Sequence, residues 1–73
     1  MKAEDIAKIF RRVLEAEDID ERSDFFVMGG DSLLATRVLT SIAKECGIHL
    51  SLVDLLDSPT PIGLAGTLSR ASS

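Results

Sequence analysis

At 73 residues, with three phenylalanines and neither tryptophan nor tyrosine, the chain is expected to form a single domain spanning residues 1–73. A domain this short buries only about 60% of its unfolded surface, which supports a small core and leaves little room for a deep substrate pocket, so an enzyme is not expected. Eight basic against twelve acidic residues give a net charge of −4, the wrong sign for neutralising phosphates, which argues against nucleic acid and anionic membranes as partners.

Ile6, Ile9, Phe10, Val13 and Leu14 recur at helical spacing and predict an amphipathic helix over roughly residues 3–16. Glu4 and Asp5 stand at its positive end, where the macrodipole favours acids. Those acids, close behind Met1, do not fit the basic-then-apolar opening of a signal peptide. No apolar run reaches the ~20 residues of a membrane span, so a cytoplasmic location is expected. Residues 17–31 read as a long acidic loop. Ile19, Phe25, Phe26 and Met28 are its expected anchors, because a loop of this length in a small domain is usually functional or tied down.

A second helix is predicted from Ser32 to Glu45 or Cys46, with Asp31 or Ser32 as N-cap and Gly47 ending it. Cys46 is the lone cysteine, so the chain has no internal disulfide framework and no cysteine metal site, as suits a reducing compartment. Ser51 caps a short third helix through Leu52, Leu55 and Leu56. Ser58-Pro59 breaks the chain, and Thr60-Pro61 starts a fourth helix on Ile62, Leu64, Ala65 and Leu68. Gly63 and Gly66 weaken that helix by about 1 kcal/mol each, and Ala71-Ser72-Ser73 is expected to fray. The alternation at Ile48, Leu50 and Leu52 is too short to found a sheet. The expected fold is all-α: a small four-helix bundle (helices 3–16, 32–46, 52–57 and 61–70) with a long first loop and a short third helix.

The second helix has two faces. Leu34, Ala35, Val38, Leu39, Ile42 and Cys46 share the core arc, while Thr36, Arg37, Thr40 and Lys44 lie opposite. Leu33 falls among the polar residues, directly after Ser32, and reads as a docking contact. In the third helix Leu52, Leu55 and Leu56 lie together and Val53 points elsewhere. Val53 either joins Leu33 in one apolar patch rimmed by Arg37 and Lys44 or caps the edge of the core; the spacing favours neither.

Ser32 is the residue with chemical promise, set behind Gly29, Gly30 and Asp31. As a nucleophile it would need a base, and His49, the sole histidine, is expected to face solvent in a connecting segment. The nucleophile-elbow pattern needs glycine two residues after the serine, where Leu34 stands. As a plain N-cap it would leave the two glycines and Leu33 without a purpose. As an attachment point it gains from both: a helix N-terminus stabilises a phosphate, glycines let a modifying enzyme approach, and Asp31 can help that enzyme hold a metal ion.

The stretch Phe25-Phe26-Val27-Met28-Gly29-Gly30-Asp31-Ser32-Leu33-Leu34-Ala35-Thr36-Arg37 resembles the attachment motif of peptidyl carrier proteins from nonribosomal peptide synthesis. The likeness spans nearly the whole chain, from the first helix to the Pro59-Thr60 start of the fourth, and implies a bundle of the acyl-carrier type. It implies that Ser32 receives 4'-phosphopantetheine from coenzyme A through a phosphopantetheinyl transferase. The arm's thiol, not Cys46, would then hold an aminoacyl or peptidyl group as a thioester. Asp31 matches the acidic neighbour that assists the transferase's magnesium, and Gly30 the glycine before it. Leu33 and Val53 match positions that such carriers present to adenylation, condensation or tailoring enzymes, with Arg37 on the same face. The carrier would be a monomer and would catalyse nothing.

The chain departs from that pattern at Val27, where an acid is common, and at Met28, where leucine is usual; methionine replaces leucine in a core at little cost. Arg37 and Lys44 outnumber Glu45 on the second helix, which favours the peptidyl over the fatty-acyl type. An acyl, aryl or hydroxyacyl carrier of a polyketide or hybrid pathway is the alternative within the class. Outside it stands an unmodified helical interaction domain, and last a serine hydrolase. Met1 lies almost directly on the first helix and the chain ends soon after the fourth, as suits a free-standing carrier and equally a domain excised from a multidomain synthetase with an added methionine.

Overall fold

The computed structural model describes residues 1–71. Four helices make up its regular structure: α1 (Ala3–Leu14), α2 (Ser32–Cys46), α3 (Leu52–Asp57) and α4 (Pro61–Ala71). None of the described helices is long and apolar enough to cross a membrane. The α1 helix packs on α2 and α4, and α3 bridges α2 and α4 at the edge.

The core grows from the apolar stripes. Ile6, Ile9 and Phe10 of α1, Ala35, Val38 and Ile42 of α2, and Leu64 and Leu68 of α4 are buried around Phe25 and Ile19 from the long loop. Leu34, Leu39 and Cys46 of the expected core arc are half-buried against this cluster. Thr36, Arg37, Thr40 and Lys44 face solvent, and so does His49.

Each helix start is satisfied locally. Lys2 N–H donates to the Asp5 carboxylate at 2.9 Å. Asp31, rather than Ser32, is the N-cap of α2, accepting from the Leu34 N–H at 2.9 Å. A reciprocal pair caps α3: the Asp54 N–H donates to Ser51 Oγ at 3.2 Å and the Ser51 N–H to Asp54 Oδ2 at 2.8 Å. Such a box lets six residues hold a helix that would not form in isolation. Thr60 Oγ1 accepts from the Gly63 N–H at 3.1 Å, and Gly47 closes α2 at φ 76°.

Four details differ from the sequence expectation. The α1 helix ends at Leu14 instead of residue 16, because Glu15 turns left-handed at φ 52° and the Ala16 N–H donates back to Arg11 O. Of the three leucines of α3 only Leu55 is buried; Leu52 and Leu56 are exposed, since a six-residue helix at the edge turns one position inward. Ile62 is also exposed: its N–H is bonded to Glu21 O, which fixes the first turn of α4 at the end of the bundle with this side chain outward. Ala71 belongs to α4 instead of fraying, and Ser72 and Ser73 lie outside the described residues.

The long loop is tied to the bundle by its backbone. Arg11 Nε donates to Ile19 O at 2.9 Å. The Phe25 N–H donates to Pro59 O at 2.8 Å, and the Ile62 N–H to Glu21 O at 2.9 Å. Residues 19–25 are thus stitched to α1 and to the start of α4, which sets the position of everything that follows up to Ser32.

Candidate functional site

The site is built on Phe25. Its ring is fully buried, in edge-on contact with Phe10 at 5.1 Å and with Phe26 at 5.3 Å between centroids. Asp24 opens the turn, its Oδ1 accepting from the N–H groups of Phe26 and Val27 at 2.9 and 3.1 Å, as a short acid before a turn does. The Met28 N–H returns to Asp24 O and the Gly30 N–H to Phe25 O, at 3.0 and 2.9 Å. Met28 is half-buried against the core, whereas Val27, at the first departing position, is 80% exposed.

The two glycines serve different needs. Gly29 adopts φ 106°, a region that side chains avoid, with open space around it. Gly30 sits against the Phe25 ring so closely that an added Cβ would enter it, and would also lie 2.7 Å from Phe25 O. One glycine makes the turn; the other lets the backbone touch the aromatic floor.

That floor delivers Asp31 and Ser32 to the start of α2. One carboxylate oxygen of Asp31 caps the helix and the other makes no hydrogen bond among the described residues. Ser32 is exposed, and its hydroxyl likewise has no partner among the described residues; only its carbonyl is engaged, by Thr36 Oγ1 at 3.0 Å. The N–H groups of Ser32 and Leu33 are also without a partner among the described residues, because the first helical bonds to Asp31 come from Leu34 and Ala35. An unengaged hydroxyl beside two unengaged N–H groups is a good seat for a phosphate. The residues present therefore fit a phosphate-linked arm.

No base accompanies the hydroxyl. His49 is exposed in the connection that follows the end of α2, whereas Ser32 opens that helix, whose fifteen residues rise roughly 22 Å at 1.5 Å per residue. The residues expected to meet partners are open: Leu33 is 71% and Val53 61% exposed, so Val53 does not cap the core edge, and Arg37, one turn after Leu33 on α2, is exposed as well. Leu52 and Leu56 add apolar surface on α3 that periodicity had assigned to the core. The brevity of α3 was the available signal.

A family model described as the phosphopantetheine attachment site matches residues 4–68. Over 66 residues the chain is 41% identical to surfactin synthase subunit 1 of Bacillus subtilis (strain 168), covering 90% of this chain and 2% of that protein. The solved complex of the phosphopantetheine transferase Sfp with coenzyme A and a peptidyl carrier protein superposes with a TM-score of 0.90 at 30% identity, covering 96% of this chain and 91% of that one. McyG A-PCP complexed with phenylalanyl-adenylate gives 0.85 at 30% identity, covering 92% of this chain and 10% of that one. The chain thus spans a small part of the length of the curated relatives it matches. It belongs to the phosphopantetheine attachment-site family, whose members bear a 4'-phosphopantetheine arm, and is homologous to the carrier regions of nonribosomal peptide synthetases.

Proposed function

We propose that Ser32 is the attachment residue, and that residues 1–73 act as one non-catalytic carrier domain. The observation that carries this reading is the exposed Ser32 hydroxyl, without a hydrogen-bond partner among the described residues, at the first position of α2. When bound, the arm supplies a terminal thiol that holds an aminoacyl or peptidyl group as a thioester. The chain's own residues do the rest. Phe25 and Gly30 fix the height of the backbone before α2. Asp31 caps that helix through one oxygen and keeps the other for the transferase's magnesium. The N–H groups of Ser32 and Leu33, without a partner among the described residues, would hold the phosphate, and the missing base keeps Ser32 from acting as a hydrolytic nucleophile.

The likeness to the carrier in the Sfp complex supports a phosphopantetheinyl transferase as the first partner, and the likeness to the McyG protein supports an adenylation enzyme. Condensation or tailoring enzymes complete the cycle, with the carrier a cytoplasmic monomer. Leu33, Val53 and Arg37 form the docking face.

The test is intact mass after incubation with coenzyme A, magnesium and a broad-specificity phosphopantetheinyl transferase. The native chain gains one arm. Ser32→Ala, whose effect on stability should stay within about 0.5 kcal/mol at an exposed site, gains none. An unchanged mass for the folded native chain refutes the assignment and favours an unmodified interaction domain. Leu33→Asp should keep the native far-ultraviolet circular dichroism while aminoacylation of the holo form by a partner slows about tenfold, the effect of removing a contact near 1.4 kcal/mol. Unfolding of this variant would place Leu33 in the core instead.

A further inference from the structure

The last turn of α1 and the middle of α2 border an open groove of about 520 Å³. Arg12, Val13 and the capping Glu15 line it from α1, and Thr36, Arg37, Thr40 and Ser41 from α2. Arg37 and Ser41 stand four residues apart and so share one line along α2. Arg12 reaches across to that line, where its Nη2 donates to Ser41 Oγ at 3.3 Å.

Hydrogen-bond donors are in surplus here. Arg12 spends one N–H on Ser41, and Arg37 spends none among the described residues. The Thr40 hydroxyl has no partner among them, and Ser41 accepts from Arg12 while keeping its own proton. Thr36 is already engaged with Ser32 O at 3.0 Å. Arg11 pairs with Glu4 at 3.4 Å, whereas neither Arg12 nor Arg37 has an acid as partner among the described residues.

Resting on the reading of Arg37 as part of the docking face, we infer that this groove receives an acidic segment of a partner protein, with carboxylates on Arg12 and Arg37. Arm attachment at Ser32 plays no part in that contact.

Charge selects the occupant. A guanidinium presents a planar fork of donors that matches a carboxylate. The chain carries a net charge of −4, so the two arginines make a local positive spot on an acidic molecule. Nucleic acid and anionic membranes need a wide basic face, and the rest of this surface repels them. A short acidic segment meets the spot alone. Val13, packed against the core, offers an apolar wall to its methylene groups.

Two groups oppose an acid. The negative end of α1 is close, but Arg11 O already accepts from the N–H groups of Glu15 and Ala16. Glu15 is the one acid among the lining residues and is exposed. Removing its charge should therefore strengthen binding, an effect that mere loss of packing would not produce.

The probe is a hexapeptide alternating glutamate and alanine, titrated at low salt into the ¹⁵N-labelled unmodified chain, with the glutamine–alanine hexapeptide as control. The acidic peptide should shift the Nε–H signals of Arg12 and Arg37 and the backbone amides of Val13, Thr40 and Ser41, and the control should shift none. Arg12→Gln and Arg37→Gln should each weaken binding about threefold, the scale of one exposed ion pair. Glu15→Gln should tighten it about twofold. Binding should fade as salt shortens the Debye length from about 30 to about 10 Å. Circular dichroism checks each fold; should Arg12→Gln unfold, Arg37→Gln and Glu15→Gln still decide. Shifts centred on Leu33 and Val53 would place the acidic peptide on the docking face and overturn the groove. Unchanged affinity in Arg37→Gln and Glu15→Gln would overturn recognition by charge. No shifts at millimolar peptide would overturn the inference as a whole, while the role of Ser32, read by mass, would stand.

Discussion

Phe25→Ala is expected to lower the stability of this domain by about 3–5 kcal/mol, as large-to-small changes of buried aromatics do. A chain of this size has roughly 4–11 kcal/mol in total, so the variant should sit close to unfolding at room temperature. The ring is fully buried and touches Phe10 and Phe26 edge-on. Beyond the cavity, the Gly29-Gly30 turn loses the surface it rests on. Urea denaturation followed by circular dichroism measures the effect. Transfer of the arm to Ser32 should fall along with stability, because the turn that lifts α2 into place is no longer fixed. A loss below about 1 kcal/mol would mean that the loop is held by its backbone bonds to Arg11 and Pro59, and that the ring is not its anchor.

What the sequence disclosed about this site, and what it hid, divides along physical lines. The stripes of α1 and α2 were legible because twelve and fifteen residues average over many turns, so one side must face the core. The same reasoning failed for Leu52 and Leu56, since α3 has six residues and its surroundings, not its period, decide what is buried. Ile62 failed for a related reason: the carbonyl of Glu21, forty-odd residues away in the chain, sets the first turn of α4. Phe25 and Phe26 could be named as loop anchors from their chemistry. The bond from Phe25 N–H to Pro59 O could not, because nothing local in either segment encodes the pairing. Ser32, Leu33 and Arg37 were readable as an exposed row because capping chemistry locates a helix start to within a residue, and all later side chains take their direction from it.

Placement of Ser32 therefore depends on how closely the backbone before it approaches the core, and Gly30 rests directly against the Phe25 ring. Gly30→Ala should cost about 2–3 kcal/mol, in the range of overpacking. The added Cβ would enter the Phe25 ring, which is wedged against Phe10 and has nowhere to go, and would also crowd Phe25 O at 2.7 Å. The backbone must lift, and with it the hydrogen bond from Gly30 N–H to Phe25 O. Gly29→Ala should cost less, about 1–2 kcal/mol, because its Cβ meets nothing and only the φ of 106° is strained. Adding Gly30→Ala to Phe25→Leu provides the decisive comparison, since residues in contact couple and distant ones add. With the ring gone, alanine at position 30 should cost at least about 1 kcal/mol less than it does alone. The rescue should remain partial, because the carbonyl contact persists. Urea midpoints for the four chains settle the matter: strict additivity would show that Gly30 matters for its own backbone conformation, and that contact with the aromatic floor does not set the height at which Ser32 is presented.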